Sequence, residues 1–146
     1  MKLKIFTFAW LAGILYLASF VAGMLSIAYA ADDPAYLTRA ALESAQTTWA
    51  AAFQFVVTMA YLGIAIILYP FLKKYCERLA LGFLSFSITG AVSNIIGIIL
   101  LLLILALSKN YVTYPNPDQA LYQLIGSLLH TSRDLINHVA MVVNQC

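Results

Sequence analysis

The chain reads as long uncharged apolar blocks divided by short polar ones. Ile5 to Ala31, Trp49 to Tyr69 and Leu79 to Leu107 contain no Asp, Glu, Lys or Arg. A helix of about 20 residues crosses the hydrocarbon core at about 1.5 Å per residue. Each block is therefore long enough to span, and spans of about 5–31, 49–69 and 79–107 are expected. The third is longer than a bilayer needs, which predicts tilt or protruding ends. Asp32-Asp33-Pro34 opens the polar stretch that runs to Thr48. It predicts a short surface helix, since Asp caps an N-terminus and Pro is tolerated in the first turn. Tyr69-Pro70 predicts the end of the second span, because Pro removes a backbone donor and turns the preceding residue away from helix. Tyr114-Pro115-Asn116-Pro117-Asp118 marks a loop between Ser108 and Gln119.

The last segment, about 120–146, has a different pattern. Leu121, Leu124, Ile125, Leu128, Leu129, Leu135, Ile136 and Val139 recur at helical spacing. Gln123, Ser127, His130, Asp134, Asn137 and His138 take the other face. This predicts an amphipathic helix that lies at the interface, packs against a bundle or begins a fourth span. Leu135 to Cys146 is too short to cross alone.

Composition agrees with the blocks. The chain of 146 residues is 63% hydrophobic and 10% charged, against about 45–50% and about 25% in soluble domains. A soluble enzyme, a disordered chain and a nucleic-acid binder are all disfavoured by that balance. The fold class expected is all-α: a single integral membrane helical bundle over 1–146, with three full transmembrane helices and a C-terminal amphipathic helix or partial span. Its partners are the lipid bilayer and other membrane helices or further copies of the chain, with no nucleic acid and no cofactor.

The net charge of +2 matters less than its placement. Three spans put Lys2, Lys4, Lys73, Lys74 and Arg78 on one side, and Arg39, Lys109 and Arg133 on the other. The excess of Lys and Arg in short loops marks the cytoplasmic side, so the N-terminus is expected inside. Trp10, Tyr69 and Tyr75 then fall near the inner interface, with Tyr29, Tyr36, Trp49, Tyr111 and Tyr114 near the outer one. A secretory signal peptide is the rival reading of the first block. Met1-Lys2-Leu3-Lys4 suits its basic start and Ala28-Tyr29-Ala30 its cleavage site. The block is longer than the usual signal core of about 7–15 residues, which favours a retained helix.

Candidate chemistry is sparse. Gln54 and Asn94 are the strongest polar side chains inside expected spans. An amide facing lipid is unfavourable, so each belongs on a polar path or in an interhelical hydrogen bond. His130, Asp134 and His138 stand at i, i+4 and i+8 on one helix, a spacing that suits metal ligation or proton relay. No further His is present to close such a site, and a self-satisfied or water-facing stripe is the simpler reading. Arg133 beside Asp134 is expected to snorkel at the membrane boundary. Ala18, Ala22 and Ser26, Ser19 and Gly23, and Thr89, Ser93 and Gly97 form small-residue ladders that suit helix packing. Cys76 and Cys146 are too few for a disulfide framework; Cys76 suits a free cytoplasmic thiol or lipidation.

Several runs are similar to one family. Leu11-Ala12-Gly13-Ile14-Leu15-Tyr16-Leu17 resembles the start of its first helix, and Leu68-Tyr69-Pro70-Phe71-Leu72-Lys73-Lys74 its second-helix exit. Glu77-Arg78-Leu79-Ala80-Leu81-Gly82 resembles the beginning of its third helix, and Leu128-Leu129 with Arg133-Asp134 the segment before its fourth. The family is the bacterial membrane protein family known as domain of unknown function 4386. The resemblance implies a bacterial cytoplasmic membrane and about six helices, of which this chain holds three and the beginning of a fourth. It implies no activity and no catalytic residue.

The leading functional expectation is a non-enzymatic multi-pass bundle or subunit. The alternatives are a transporter or channel component with a polar path near Gln54, Asn94 and Asp134, and a membrane metal protein or enzyme using His130, Asp134 and His138.

Overall fold

The computed structural model describes residues 2–27, 35–114 and 118–145, and side chains within 10–27, 35–114 and 118–143. Five helices and no strand are found among them. They are α1 (Lys2–Leu25), α2 (Tyr36–Leu42), α3 (Ser44–Tyr75), α4 (Glu77–Thr113) and α5 (Gln119–Gln145). Asp32-Asp33-Pro34 and Tyr29 lie outside the described residues. The short surface helix is present as α2, of 7 residues.

Two helices, α3 with 32 residues and α4 with 37, are long and apolar enough to cross a membrane. The expectation of three full spans is met only that far. Among the residues whose side chains are described, the apolar part of α1 is Trp10–Leu25, and the helix ends at Leu25. α5 falls below the same test because a polar stripe runs along it.

The second span does not stop at Tyr69. α3 continues through Pro70 to Tyr75. Proline removes one backbone donor and leaves the rest of the ladder intact, and long apolar helices tolerate that. Lys73 and Lys74 in the last turn also complement the helix C-terminus. The chain reverses at Cys76 alone, whose φ of −156° and ψ of 112° are extended. Glu77 then opens α4, where an acid complements the N-terminus. Lys73 Nζ and Glu77 Oε1 meet at 3.0 Å across this joint.

The helices form a curved row. α3 packs against α1 on one side and α4 on the other, and α4 packs against α5. α2 lies mainly on α4. Gly63 faces Leu15, and Gln54 bonds to the Ser26 carbonyl, so α1 and α3 run antiparallel. The backbone of Lys2 and Lys4 therefore lies toward the end that carries Lys73, Lys74 and Arg78.

The interior is made of small side chains. Ala40, Ala50, Ala65, Ala80 and Ala140 are buried, with Leu101 and Ile104 as the large apolar members. Ser19, Thr47, Thr58 and Ser108 are buried beside them. Their hydroxyls reach backbone carbonyls: Thr58 Oγ1 donates to Gln54 O at 2.8 Å, and Ser19 Oγ to Tyr16 O at 2.7 Å. Small residues let backbones approach closely, and local hydroxyl bonds satisfy polar atoms without water. The ladders take part unevenly: Ser19 and Ala22 are buried, whereas Ala18 and Thr89 are exposed.

Candidate functional site

A cleft opens between the two ends of the row. α3 and α4 form its floor with Gln54, Thr58, Tyr61 and Asn94. α1 contributes Tyr16 and Ser26 to one wall, and α5 contributes Asn137, Ala140 and Met141 to the other. Its volume is about 520 Å3, within the usual range of ligand pockets, about 300–1,000 Å3.

Each polar side chain is placed by local packing. Gln54 Nε2 donates to the Ser26 carbonyl at 3.1 Å, just beyond the end of α1. It thereby satisfies one of the carbonyls that a helix C-terminus leaves without an internal partner. Asn137 stands against Gly97, where a Cβ would lie 3.0 Å from Asn137 Oδ1. Gly97 thus lets α5 approach α4 with an amide between them. Among the described residues, the side-chain amides of Asn94 and Asn137 make no hydrogen bond. Both remain available to whatever occupies the cleft.

The polar path expected near Gln54, Asn94 and Asp134 is brought together only in part. Gln54 and Asn94 share the cleft floor, although they lie far apart in sequence. Asp134 is not a lining residue. It is half exposed on the flank of α5, where its Oδ2 lies 3.3 Å from His130 Nδ1. Asn137, one turn further on, takes the place expected for Asp134. It belongs to the polar stripe legible in the sequence, but only the facing glycine distinguishes it from its neighbours.

His130, Asp134 and His138 do not converge as a ligand set. His138 Nδ1 lies 2.7 Å from the Asp134 backbone carbonyl, so its ring turns onto its own helix rather than toward the carboxylate. Among the described residues no group of three or more His, Cys, Asp or Glu could hold a metal ion. His130 instead faces the Tyr36 ring, with centroids 5.7 Å apart. Tyr36 also covers Gly126, where a Cβ would lie 2.8 Å from its Cε2. Burial raises the Tyr36 hydroxyl above its ordinary pKa of 10.0, keeping it neutral.

Arg133 departs from expectation. A snorkelling side chain would reach outward, yet Arg133 is only 4% exposed. It lies on the inner face of α5 with Gly126 and Ala140, which are also buried. The outer face carries Leu121, Leu124, Leu128, Leu135 and Val139, all exposed. α5 therefore turns part of its polar stripe inward and its apolar stripe outward, the reverse of a surface helix on a soluble domain.

A second groove adjoins the cleft. Thr58, Tyr61 and Asn94 line both, and the groove continues to Leu79, Phe83, Phe86 and Val143 with a volume of about 460 Å3. Among the described residues, neither feature is lined by a charged side chain or a histidine. The topology residues Lys73, Lys74 and Arg78 are exposed at the α3–α4 joint, apart from the cleft.

Comparison with known proteins adds the family and nothing more specific. The chain matches no curated protein and no solved structure. The family described as Domain of unknown function (DUF4386) matches residues 11–144, a stretch that includes every cleft residue. The chain belongs to that family.

Proposed function

We propose that the protein is a non-enzymatic, multi-pass integral membrane protein, a small helical bundle or subunit in a bacterial cytoplasmic membrane. The observation that carries this reading is the reversed distribution of side chains. Alanines and hydroxyls fill the interior, while Trp10, Phe20, Trp49, Phe86, Leu128 and many other large apolar residues face outward. A soluble core helix is mostly buried; the most apolar windows of α3 and α4 are 17% and 33% buried. Contiguous exposed apolar surface on this scale marks a membrane or interaction surface.

In this reading all four long helices sit in the bilayer. The 24 residues of α1 extend about 36 Å at 1.5 Å per residue, sufficient to cross. α5 enters because Arg133 turns toward protein and Asn137 toward the cleft. The end with Lys2, Lys4, Lys73, Lys74 and Arg78 faces the cytoplasm. Further copies or other membrane helices complete the bundle.

Alkaline carbonate extraction of native membranes tests the embedding, with the protein expected in the pellet. A membrane-impermeant maleimide tests orientation in a Cys146→Ser variant, through the exposed Cys76. Labelling is expected only once the cytoplasmic face is opened. Release into the carbonate supernatant would falsify the membrane reading.

A transport component is the second reading, favoured by Gln54 and Asn94 on one cleft floor. Flux left unchanged by Gln54→Ala, Asn94→Ala and Asp134→Ala together counts against it. No described lining residue is charged, which points away from ions.

A further inference from the structure

The cleft and its adjoining groove differ in chemistry along their length. The cleft end presents the amides of Gln54, Asn94 and Asn137 with the Tyr16 and Tyr61 side chains. The other end presents Leu79, Phe83, Phe86 and Val143. Thr58, Tyr61 and Asn94 make the two continuous.

Four classes of occupant make different demands on this surface. An ion would meet no countercharge among the described lining side chains, and an isolated charge away from water is strongly unfavourable. A plain hydrocarbon chain would leave the Asn94 and Asn137 amides unmet in an apolar medium. A sugar or other fully polar solute would meet the amides and leave the aromatic limb unused. An uncharged molecule with a hydrogen-bonding head and an apolar tail satisfies both ends.

We propose that the groove binds an uncharged amphiphile of the glycerol-ester class. Its hydroxyl and ester oxygens lie against Asn94 and Asn137, and its acyl chain lies along Phe83 and Phe86. Both amide and hydroxyl groups can donate and accept, so the head needs no fixed pattern of one polarity. The proposal rests on the membrane reading above, because such a ligand reaches the cleft from the bilayer.

The experiment uses the full chain in native membranes and a monoacylglycerol with a diazirine midway along its acyl chain. After illumination, peptides containing Phe83, Phe86 and Val143 are expected to carry the label. Excess unlabelled monoacylglycerol is expected to suppress it. A phosphatidylglycerol with the same diazirine is expected to label these peptides less. Asn94→Ala and Asn137→Ala should each lower the specific label about 2- to 10-fold, as expected for one lost hydrogen bond. Met141→Trp narrows the mouth from an exposed position and should lower it without disturbing the interior. Label spread over outward residues such as Leu102 and Leu103, insensitive to competition, overturns the proposal. So does equal labelling by the anionic probe, or label unaffected by both Asn137→Ala and Met141→Trp. Carbonate extraction of the same membranes separates the two readings. A retained chain without specific label removes only the ligand, and a released chain removes both.

Discussion

α4 and α5 lie against each other and are held by opposite patterns. α4 carries large apolar residues on several sides, with Ile98, Leu101 and Ile104 buried, Ile96, Ile99 and Leu103 exposed, and Asn94 at the cleft. α5 is divided, with Arg133 and Ala140 buried and Leu124, Leu128 and Leu135 exposed. A helix apolar on most sides satisfies either environment there, so its rotation is set largely by which small residues admit a neighbour. A divided helix has one rotation in lipid that keeps Arg133 inside and Asn137 at the cleft. Polarity fixes the orientation of α5, while shape fixes most of that of α4.

The largest expected effect breaks that distinction directly. Leu128→Arg places a charge on the outer face of α5. If lipid lies there, membrane insertion should fall by about 2.5–3.5 kcal/mol at bilayer depth. Arg133→Leu removes the inward charge and should destabilise the fold by about 3 kcal/mol, as expected when one member of a buried polar contact is lost. Thermal unfolding in detergent and glycosylation-reporter insertion assays read the two. Tolerance of Leu128→Arg would mean that water, not lipid, meets this face.

The next effect sharpens how shape positions α2 on α5. Gly126→Ala drives a Cβ into the Tyr36 ring, which α2 holds in place. A cost of about 1–3 kcal/mol is expected from overpacking. Adding Tyr36→Ala should recover part of it, because the obstruction is then removed. Additive losses in thermal unfolding would show that the two residues do not meet.

Smaller losses are expected where one hydrogen bond joins α2 to α4. Ser108 Oγ donates to the Leu37 carbonyl at 2.8 Å, and the serine is fully buried. Ser108→Ala should cost about 1 kcal/mol and increase proteolysis within α2 first. Protection of α2 unchanged from the parent would remove this bond from the account.

The smallest effect lies at the basic joint. The Lys73–Glu77 pair is exposed, with side-chain exposures of 50% and 61%. The side-chain hydrogen bond to Glu77 and its charge raise the Lys73 pKa above the ordinary 10.5. The contribution is fully present below the unfolded value and is lost as pH rises through the higher folded value. Stability between about pH 6 and pH 9 should therefore be flat with respect to Lys73. Lys73→Gln should leave thermal unfolding unchanged while shifting topology reporters, since such exposed pairs contribute little and loop charge directs insertion.

The cleft illustrates how differently its residues could be read in advance. Gln54 and Asn94 stand out because amides are rare within long apolar blocks. Asn137 sits among five other residues of the polar stripe on α5, and nothing in their spacing selects it. Gly97 selects it by admitting α5 at that level. The end of α3 was misplaced for a related reason. Pro70 acts on one backbone bond, and the remaining ladder and the packing on α4 carry the helix to Tyr75.

The sequence by itself determined that long apolar helices dominate, that basic residues gather at the α3–α4 joint, and that the last helix is divided. Those properties follow from local periodicity and from the cost of placing charge in hydrocarbon. Only the tertiary structure decided that α5 turns Arg133 inward, that Asp134 stays beside His130, and that Asn137 joins Gln54 and Asn94 across the cleft. Those outcomes depend on which backbones approach closely, and close approach is set jointly by small residues on different helices, information that no single segment carries.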